Sequence, residues 1–189
     1  GNAVAAFALG IALRASGFLR DGGMQLADNK LLMHSACKEI AAGVLSKSLE
    51  DSALRSAEPS HGSEVVRRYG VKGARQMAKD GYKEVFAFWQ PYYSSIKKQP
   101  YALQRTLVSL IASLDDTCLI HRAGYERSEQ LRDEAADIFG RIAHDARPDD
   151  IERTLEDMCK RYASEGISPG GSADMLALTI FIDSLFTNN

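Results

Sequence analysis

A short glycine-rich turn in the chain has the residue types of an anion site. It reads Ser168-Pro169-Gly170-Gly171-Ser172 and precedes an apolar segment that is predicted to be a helix. Gly170 and Gly171 have no Cβ that would keep a ligand away from their backbone N–H groups. Pro169 fixes one φ angle, and Ser172 can cap the helix. The free N–H groups and the positive end of the helix dipole would then face a phosphate. A helix start without any ligand is the other interpretation, and this pattern alone leaves both open.

A second motif places two adjacent carboxylates, Asp115 and Asp116, shortly before His121 and Arg122. Adjacent carboxylates raise each other's proton affinity, and near the C-terminal end of a helix they also oppose its dipole. A divalent cation such as Mg²⁺, or the nearby Arg122, would compensate for this cost. If one helix continued from Asp115 to Arg122, both would lie on one face about 10 Å apart, enough to bracket a ligand. A solvated acidic helix end with an incidental His-Arg pair is the alternative.

A third pattern consists of cationic residues at intervals of four, three and four. These residues are Arg68, Lys72, Arg75 and Lys79. On one helix they would share a side, and a polyphosphate would relieve their mutual repulsion through charge-assisted hydrogen bonds. A solvated basic face would look the same. Because neither a Walker-type loop nor a dinucleotide-binding glycine fingerprint is present, the three motifs together predict a polyphosphate pocket between helices.

The composition is that of a soluble globular protein, with 189 residues, 25% of them charged and 45% apolar. This length fits one domain covering residues 1–189. A net charge of -2 gives no reason to expect nucleic acid. The three cysteines are widely separated, which favours reduced thiols and a cytoplasmic location. The apolar segment 3–13 is shorter than the roughly 20 residues of a bilayer crossing, so we expect no membrane association. That segment is predicted to be a buried helix, and a homodimer formed through it is left open.

Apolar residues recur at helical spacing almost throughout the chain, and no convincing alternation with a period of two is found. We therefore predict an all-α fold of about seven helices in a single compact domain. Glycines at 70, 73 and 81 are expected to bend or split the third helix, and Pro91 and Pro100 to bracket a connector. The expected helices lie at about 3–13, 29–49, 63–89, 103–114, 126–144, 147–162 and 172–186.

Three sequence blocks also carry a resemblance to a known family. They are Gly73-Ala74-Arg75 with Gly81-Tyr82, Asp115-Asp116-Thr117 with His121-Arg122, and Ser168 to Asp174 running on to Thr179. In order and spacing they resemble the triphosphoribosyl-dephospho-CoA synthases, which make the prosthetic-group precursor of citrate lyase and malonate decarboxylase. The match runs from about Leu54 to the last residue, so the chain resembles the C-terminal portion of that family.

The resemblance implies a transferase whose substrates are ATP and 3'-dephospho-CoA. A hydroxyl of dephospho-CoA attacks the ribose C1 of ATP, adenine departs, and the triphosphate stays on the ribose. Asp115 and Asp116 would bind Mg²⁺ or stabilise an oxocarbenium-like state, and His121 would protonate adenine. The remaining roles implied are phosphate binding by Arg75, Arg122, Ser168, Gly170, Gly171 and Ser172, and a ribose or metal contact by Asp174.

The chain departs from the family pattern at several positions. Gln76-Met77 stands where the family has Gly-Glu, and Cys118 stands where it has Asn. The polar block that precedes the first apolar helix in the family is replaced by Gly1-Asn2-Ala3-Val4. These departures fit either a piece of a longer enzyme or a divergent member of the family. They also keep a second hypothesis open, in which the chain is a non-catalytic helical relative that binds a nucleotide or a protein partner.

Overall fold

The computed structural model describes residues 61–143 and 146–187, which form eight α-helices and one π-helical turn without any β-strand. The predicted all-α class is confirmed for this part of the chain. The helices expected at 3–13 and 29–49, and with them the segment considered for a homodimer, lie outside the described residues. Among the helices that are described, none is both long enough and apolar enough to cross a membrane.

The order of the elements agrees with the predicted pattern from residue 102 onward, apart from one additional helix. The fourth, fifth, sixth and last predicted helices are present with ends shifted by a few residues, and the additional one is Thr117–Ala123. In chain order the helices are α1 His61–Tyr69, α2 Ala74–Lys79, α3 Gln90–Ile96, α4 Ala102–Ser113, α5 Thr117–Ala123, α6 Tyr125–Ile142, α7 Pro148–Ser164 and α8 Gly170–Thr187, with the π-helical turn Val85–Trp89 directly before α3.

The predicted third helix is split, as its glycines indicated. Its first part, α1, ends at Tyr69, and Gly70 follows with a φ of 68°, a left-handed conformation that costs glycine little. The chain resumes helical structure only after Gly73, which precedes α2. The prediction that four cationic residues share one helical face is therefore wrong, because they lie on two helices and on the link between them. The residues concerned are Arg68, Lys72, Arg75 and Lys79.

The expected connector at Pro91 is also wrong, because the chain stays helical through this residue. Pro91 lies in the first turn of α3, and proline has no N–H to donate to a carbonyl one turn earlier. Directly before it, the N–H of Gln90 donates to the carbonyl oxygen of Val85, five residues back. The extra residue in this wider turn accommodates the proline without ending the helix.

Helix α4 lies between two apolar clusters and takes part in both. Its Leu110 packs with the π-helical turn and with α8, while Val108 and Ile111 pack with α6 and α7. The first cluster contains the fully buried Tyr82, Val85, Leu178 and Ile182, and the second contains the fully buried Leu119, Leu131, Ala135 and Ile142. Because both clusters fix α4, they also fix the position of the acidic pair that follows it.

Candidate active site

The acidic pair lies in the link between α4 and α5. Helix α4 ends at Ser113, and the backbone is extended at Leu114 (ψ 141°) and at Asp116 (ψ 101°). Successive side chains of an extended segment point to opposite sides. Asp115 and Asp116 therefore face different surroundings. The prediction that Asp115 and Arg122 lie on one face of a continuous helix is wrong, because the helix is interrupted between them.

Asp116 caps the start of two helices at once. Its Oδ1 accepts hydrogen bonds from the N–H groups of Cys118 (3.0 Å) and Leu119 (3.2 Å) at the start of α5. The same oxygen accepts the N–H of Gly171 (3.1 Å) at the start of α8. Its Oδ2 accepts both the N–H (2.8 Å) and the hydroxyl (3.0 Å) of Ser172. The carboxylate is 4% exposed, so it acts as a buried counter-charge to two helix dipoles.

The glycine-rich turn leads into a helix start, as predicted, and its donors have partners within the chain. The N–H groups of Gly171 and Ser172 donate to Asp116, and the N–H of Gly170 donates to the carbonyl oxygen of Ser168 (2.9 Å). A Cβ built on Gly171 would lie 2.7 Å from the Asp116 Oδ1, so this glycine makes room for the carboxylate. A phosphate at these N–H groups would have to displace Asp116, and the phosphate roles of this turn stay predictions.

A Mg²⁺ ion that uses both carboxylates of the acidic pair does not fit this arrangement. The two oxygens of Asp116 already accept five hydrogen bonds, whereas a carboxylate offers about four lone-pair sites. Magnesium needs such oxygen atoms directly. Across residues 61–143 and 146–187, no group of three or more His, Cys, Asp or Glu side chains is arranged to hold a metal ion.

Asp115 lies instead on the wall of a cavity. Its carboxylate forms an ion pair with Arg132 of α6 and accepts the backbone N–H of Lys72 at 3.4 Å. The Asp115 side chain is 31% exposed, so a bound molecule can reach it. The cavity measures about 400 Å³ and is lined by Lys72, Met77, Glu84, Phe88, Trp89, Ser113, Leu114 and Asp115.

Lys72 forms the charged side of this cavity together with two carboxylates. Its Nζ lies 2.8 Å from Asp80 and 2.7 Å from Glu84. Hydrogen bonds to Asp80 and Glu84 raise the pKa of Lys72, and the Lys72 ammonium group lowers the pKa of Asp80. Sequence reasoning missed Glu84 as a site residue. The available signal was the spacing, since Asp80 and Glu84 follow Lys72 after eight and twelve residues. Whether these side chains meet depends on how the chain turns between α1 and α3.

The other predicted site residues lie elsewhere. His121 and Arg122 are exposed on α5, and the His121 ring stacks on His61 of α1 with centroids 4.1 Å apart. Neither belongs to the described lining of the cavity. Asp174 is half-buried in the first turns of α8. Arg75 belongs to α2, and its side chain is outside the described part of the structure. The structure thus joins Asp116 to Gly171 and Ser172, and places Asp115 apart from them.

Comparison with known proteins assigns the chain to a family. Residues 5–189 match the sequence profile of the family described as ATP:dephospho-CoA triphosphoribosyl transferase. A relative from Azotobacter vinelandii, named "Probable 2-(5''-triphosphoribosyl)-3'-dephosphocoenzyme-A synthase", is 35% identical over 141 residues, 72% of this chain and 48% of the relative. Relatives of the same name from Pseudomonas syringae pv. syringae and pv. tomato are 34% and 36% identical. These alignments cover 76% and 68% of this chain and 50% and 45% of the relatives.

No solved structure matches the chain. The chain spans about half the length of the curated relatives it matches. The family profile nevertheless covers nearly every residue, including both the acidic pair and the glycine-rich turn. The chain therefore belongs to the ATP:dephospho-CoA triphosphoribosyl transferase family.

Proposed function

We propose that this chain transfers the triphosphoribosyl group of ATP to a hydroxyl of 3'-dephospho-CoA and releases adenine. Membership of the family supports the reaction class and both substrates. The observation that carries the proposal in the structure is Asp115, a reachable carboxylate on the wall of a cavity next to a rigid helix junction.

The reaction requires a group that stabilises positive charge at the ribose. The bond from the ribose C1 to the adenine nitrogen breaks while the bond to the incoming hydroxyl oxygen forms. The hydroxyl proton leaves and adenine takes up a proton. Between these steps the ribose has oxocarbenium character, which a carboxylate stabilises. Asp115 suits this role because Arg132 holds its carboxylate in a fixed orientation while leaving it partly open to the cavity.

The roles of the two aspartates then differ. Asp116 positions α5 and α8 and thereby the segment that carries Asp115. A Mg²⁺ ion carried by the triphosphate of ATP would find no free oxygen on Asp116, because both oxygens of this carboxylate accept hydrogen bonds from the chain. Proton transfer by His121 and phosphate binding by Arg122 remain part of the proposal, and both side chains are exposed on α5.

The test is an assay of adenine release from ATP in the presence of 3'-dephospho-CoA, with the product separated by chromatography. We expect Asp115→Asn to lower the rate about 100-fold, as removal of one stabilising group at a developing charge does. Asp133→Asn is the matched control, because Asp133 is an exposed aspartate of α6. No adenine release by the folded wild-type chain, or equal rates for Asp115→Asn and wild type, would contradict the proposal.

A further inference from the structure

We propose that the cavity beside Asp115 binds an uncharged purine base and that the Phe88 ring stacks on it. The inference rests on the proposed function for the identity of that base, which is adenine. It goes further by assigning the base, rather than the triphosphate, to a particular set of residues.

The walls of the cavity have the character of a site for a flat ring. Met77, Trp89 and Leu114 supply apolar surface, and a few polar groups stand among them. A volume of about 400 Å³ falls within the range of pockets that take small molecules. Aromatic and thioether side chains favour contact with a planar, polarisable ring. Such walls suit a base better than they suit a hydrated phosphate.

Phe88 is the most unusual of the lining residues because its side chain is 66% exposed. Its neighbours Phe86 and Trp89 are buried, and Trp89 also borders the cavity, so Phe88 is the one aromatic residue of the π-helical turn that is left exposed. A large apolar ring left in water beside a cavity gains no stability from folding. Stacking with a base would remove it from water and supply contact energy of the kind seen in single-stranded nucleic acid sites.

Glu84 offers a hydrogen-bond acceptor that has no partner. Its Oε1 accepts from Lys72 at 2.7 Å, whereas its Oε2 is buried and accepts no hydrogen bond within the described part of the chain. A buried acceptor without a partner costs free energy, so rotation of the Glu84 carboxylate toward a donor bound in the cavity would be favoured. The exocyclic amino group of adenine is such a donor.

The charges around the cavity exclude the triphosphate. Both cations are already paired, Lys72 with Asp80 and Glu84, and Arg132 with Asp115 and Glu129. Four carboxylates thus surround two cations. A triphosphate here would meet net negative charge without a free cation among these residues, whereas a neutral base meets no such repulsion.

The chain contains a single tryptophan, Trp89, and it lines the cavity. Its emission, excited at the red edge of the indole band where adenine does not absorb, reports directly on occupancy. We expect adenine to change this emission saturably, and tripolyphosphate to leave it unchanged and not to compete with adenine. Calorimetric titration of adenine into the full 189-residue chain gives the dissociation constant independently.

Variants then test the assigned contacts. Phe88→Ala should weaken adenine binding about tenfold, and Phe88→Tyr should retain it because a phenol ring also stacks. Glu84→Gln should weaken adenine binding several-fold. Leu103→Ala, at another exposed apolar residue, and Glu156→Gln, at another glutamate paired with a lysine, are the controls and should bind like wild type.

The proposal is overturned by three results. The first is no saturable response to adenine, the second is wild-type affinity in folded Phe88→Ala, and the third is displacement of adenine by tripolyphosphate. These outcomes are separate from those of the turnover assay. Adenine binding at Trp89 without turnover keeps this inference and rejects the proposed function. Turnover without any effect of adenine on the Trp89 emission keeps the proposed function and rejects this inference.

Discussion

Asp116 accepts two hydrogen bonds from Ser172, at 2.8 Å from its N–H and at 3.0 Å from its hydroxyl, across 56 positions of the sequence. The same carboxylate caps α5, so one buried charge fixes the starts of two helices. The anion that a glycine-rich helix start favours is in this structure supplied by the chain itself. The acidic pair and the glycine-rich turn are thus parts of one junction.

The two adjacent aspartates should differ sharply in their effect on stability. Asp116→Ala removes two helix caps and leaves buried donors without partners, so we expect it to lower the free energy of unfolding by about 2 to 4 kcal/mol. Asp115→Ala breaks a half-exposed ion pair and should cost about 0 to 1 kcal/mol. Urea denaturation followed by circular dichroism measures both, and similar losses for the two variants would contradict this division of roles.

Gly170 and Gly171 should also differ in how much their substitution by alanine destabilises the protein. A Cβ at Gly171 would lie 2.7 Å from the Asp116 Oδ1, whereas at Gly170 its nearest neighbour is the Cys118 Sγ at an ordinary 3.4 Å. We expect Gly171→Ala to cost about 1 to 3 kcal/mol and Gly170→Ala to stay within about 0.5 kcal/mol of wild type.

A double variant tests the cause of the Gly171 effect. In an Asp116→Ala background the carboxylate that the new Cβ would strike is gone, so the additional cost of Gly171→Ala should largely disappear. Additive free energies in this cycle, measured by the same denaturation experiment, would show that the glycine is needed for another reason.

Tyr162 should make the protein sensitive to alkali. Burial, and secondarily the charge of Glu134, raises the pKa of Tyr162 to about 12. The unfolded chain releases this proton near its ordinary value of about 10, so the unfolded state binds fewer protons between these two pH values. The free energy of unfolding should therefore fall by about 2 kcal/mol as the pH rises from about 10 to about 12.

Tyr162→Phe should remove the part of the alkaline fall in the free energy of unfolding that Tyr162 causes. At neutral pH the variant should be as stable as wild type or slightly more so, because the Tyr162 hydroxyl is buried without a hydrogen-bond partner among the described residues. Denaturation of both proteins at neutral and at alkaline pH gives the comparison. If the free energy of unfolding changed in parallel for the two proteins over the whole pH range, Tyr162 would not be the cause of the alkaline loss.

Arg132 should act as a positioning residue for Asp115. On the proposed function, Arg132→Gln frees the Asp115 carboxylate and should lower kcat for adenine release about tenfold, with a loss of stability below about 1 kcal/mol. Arg132→Lys should restore part of the rate, because it keeps the charge without the planar fork. An unchanged kcat in folded Arg132→Gln would show that the ion pair between Arg132 and Asp115 has no role in the reaction.

The helices that the sequence predicted well are those with a simple apolar stripe. In α7 the buried positions are Ile151, Leu155, Met158 and Tyr162, at helical spacing on one side of a helix that begins at Pro148. This information is local, because repeat spacing and a proline in the first turn depend only on neighbouring residues. The same holds for α4 and α6, whereas α8 is apolar around most of its circumference and was predicted from that composition.

The errors have both tertiary and local causes. Pro91 predicts a connector, but packing of Trp89 and Val85 in the core keeps the chain helical with one wide turn. The basic stripe fails because α1 ends before Gly70, which leaves Lys72 in a link where it pairs with Asp80 and Glu84. The additional helix α5 depends on the cap that Asp116 provides.

The sequence by itself determined the helical class of the described residues, the positions of α4, α6, α7 and α8, and the residues that carry the family resemblance. Those properties follow from spacing along the chain and from residue types. Only the tertiary structure decided that Asp116 is buried between two helix starts while Asp115 faces the cavity with Glu84 and Trp89. The reason is physical, since one extended residue step turns two adjacent carboxylates to opposite sides, and their partners come from helices far apart in sequence.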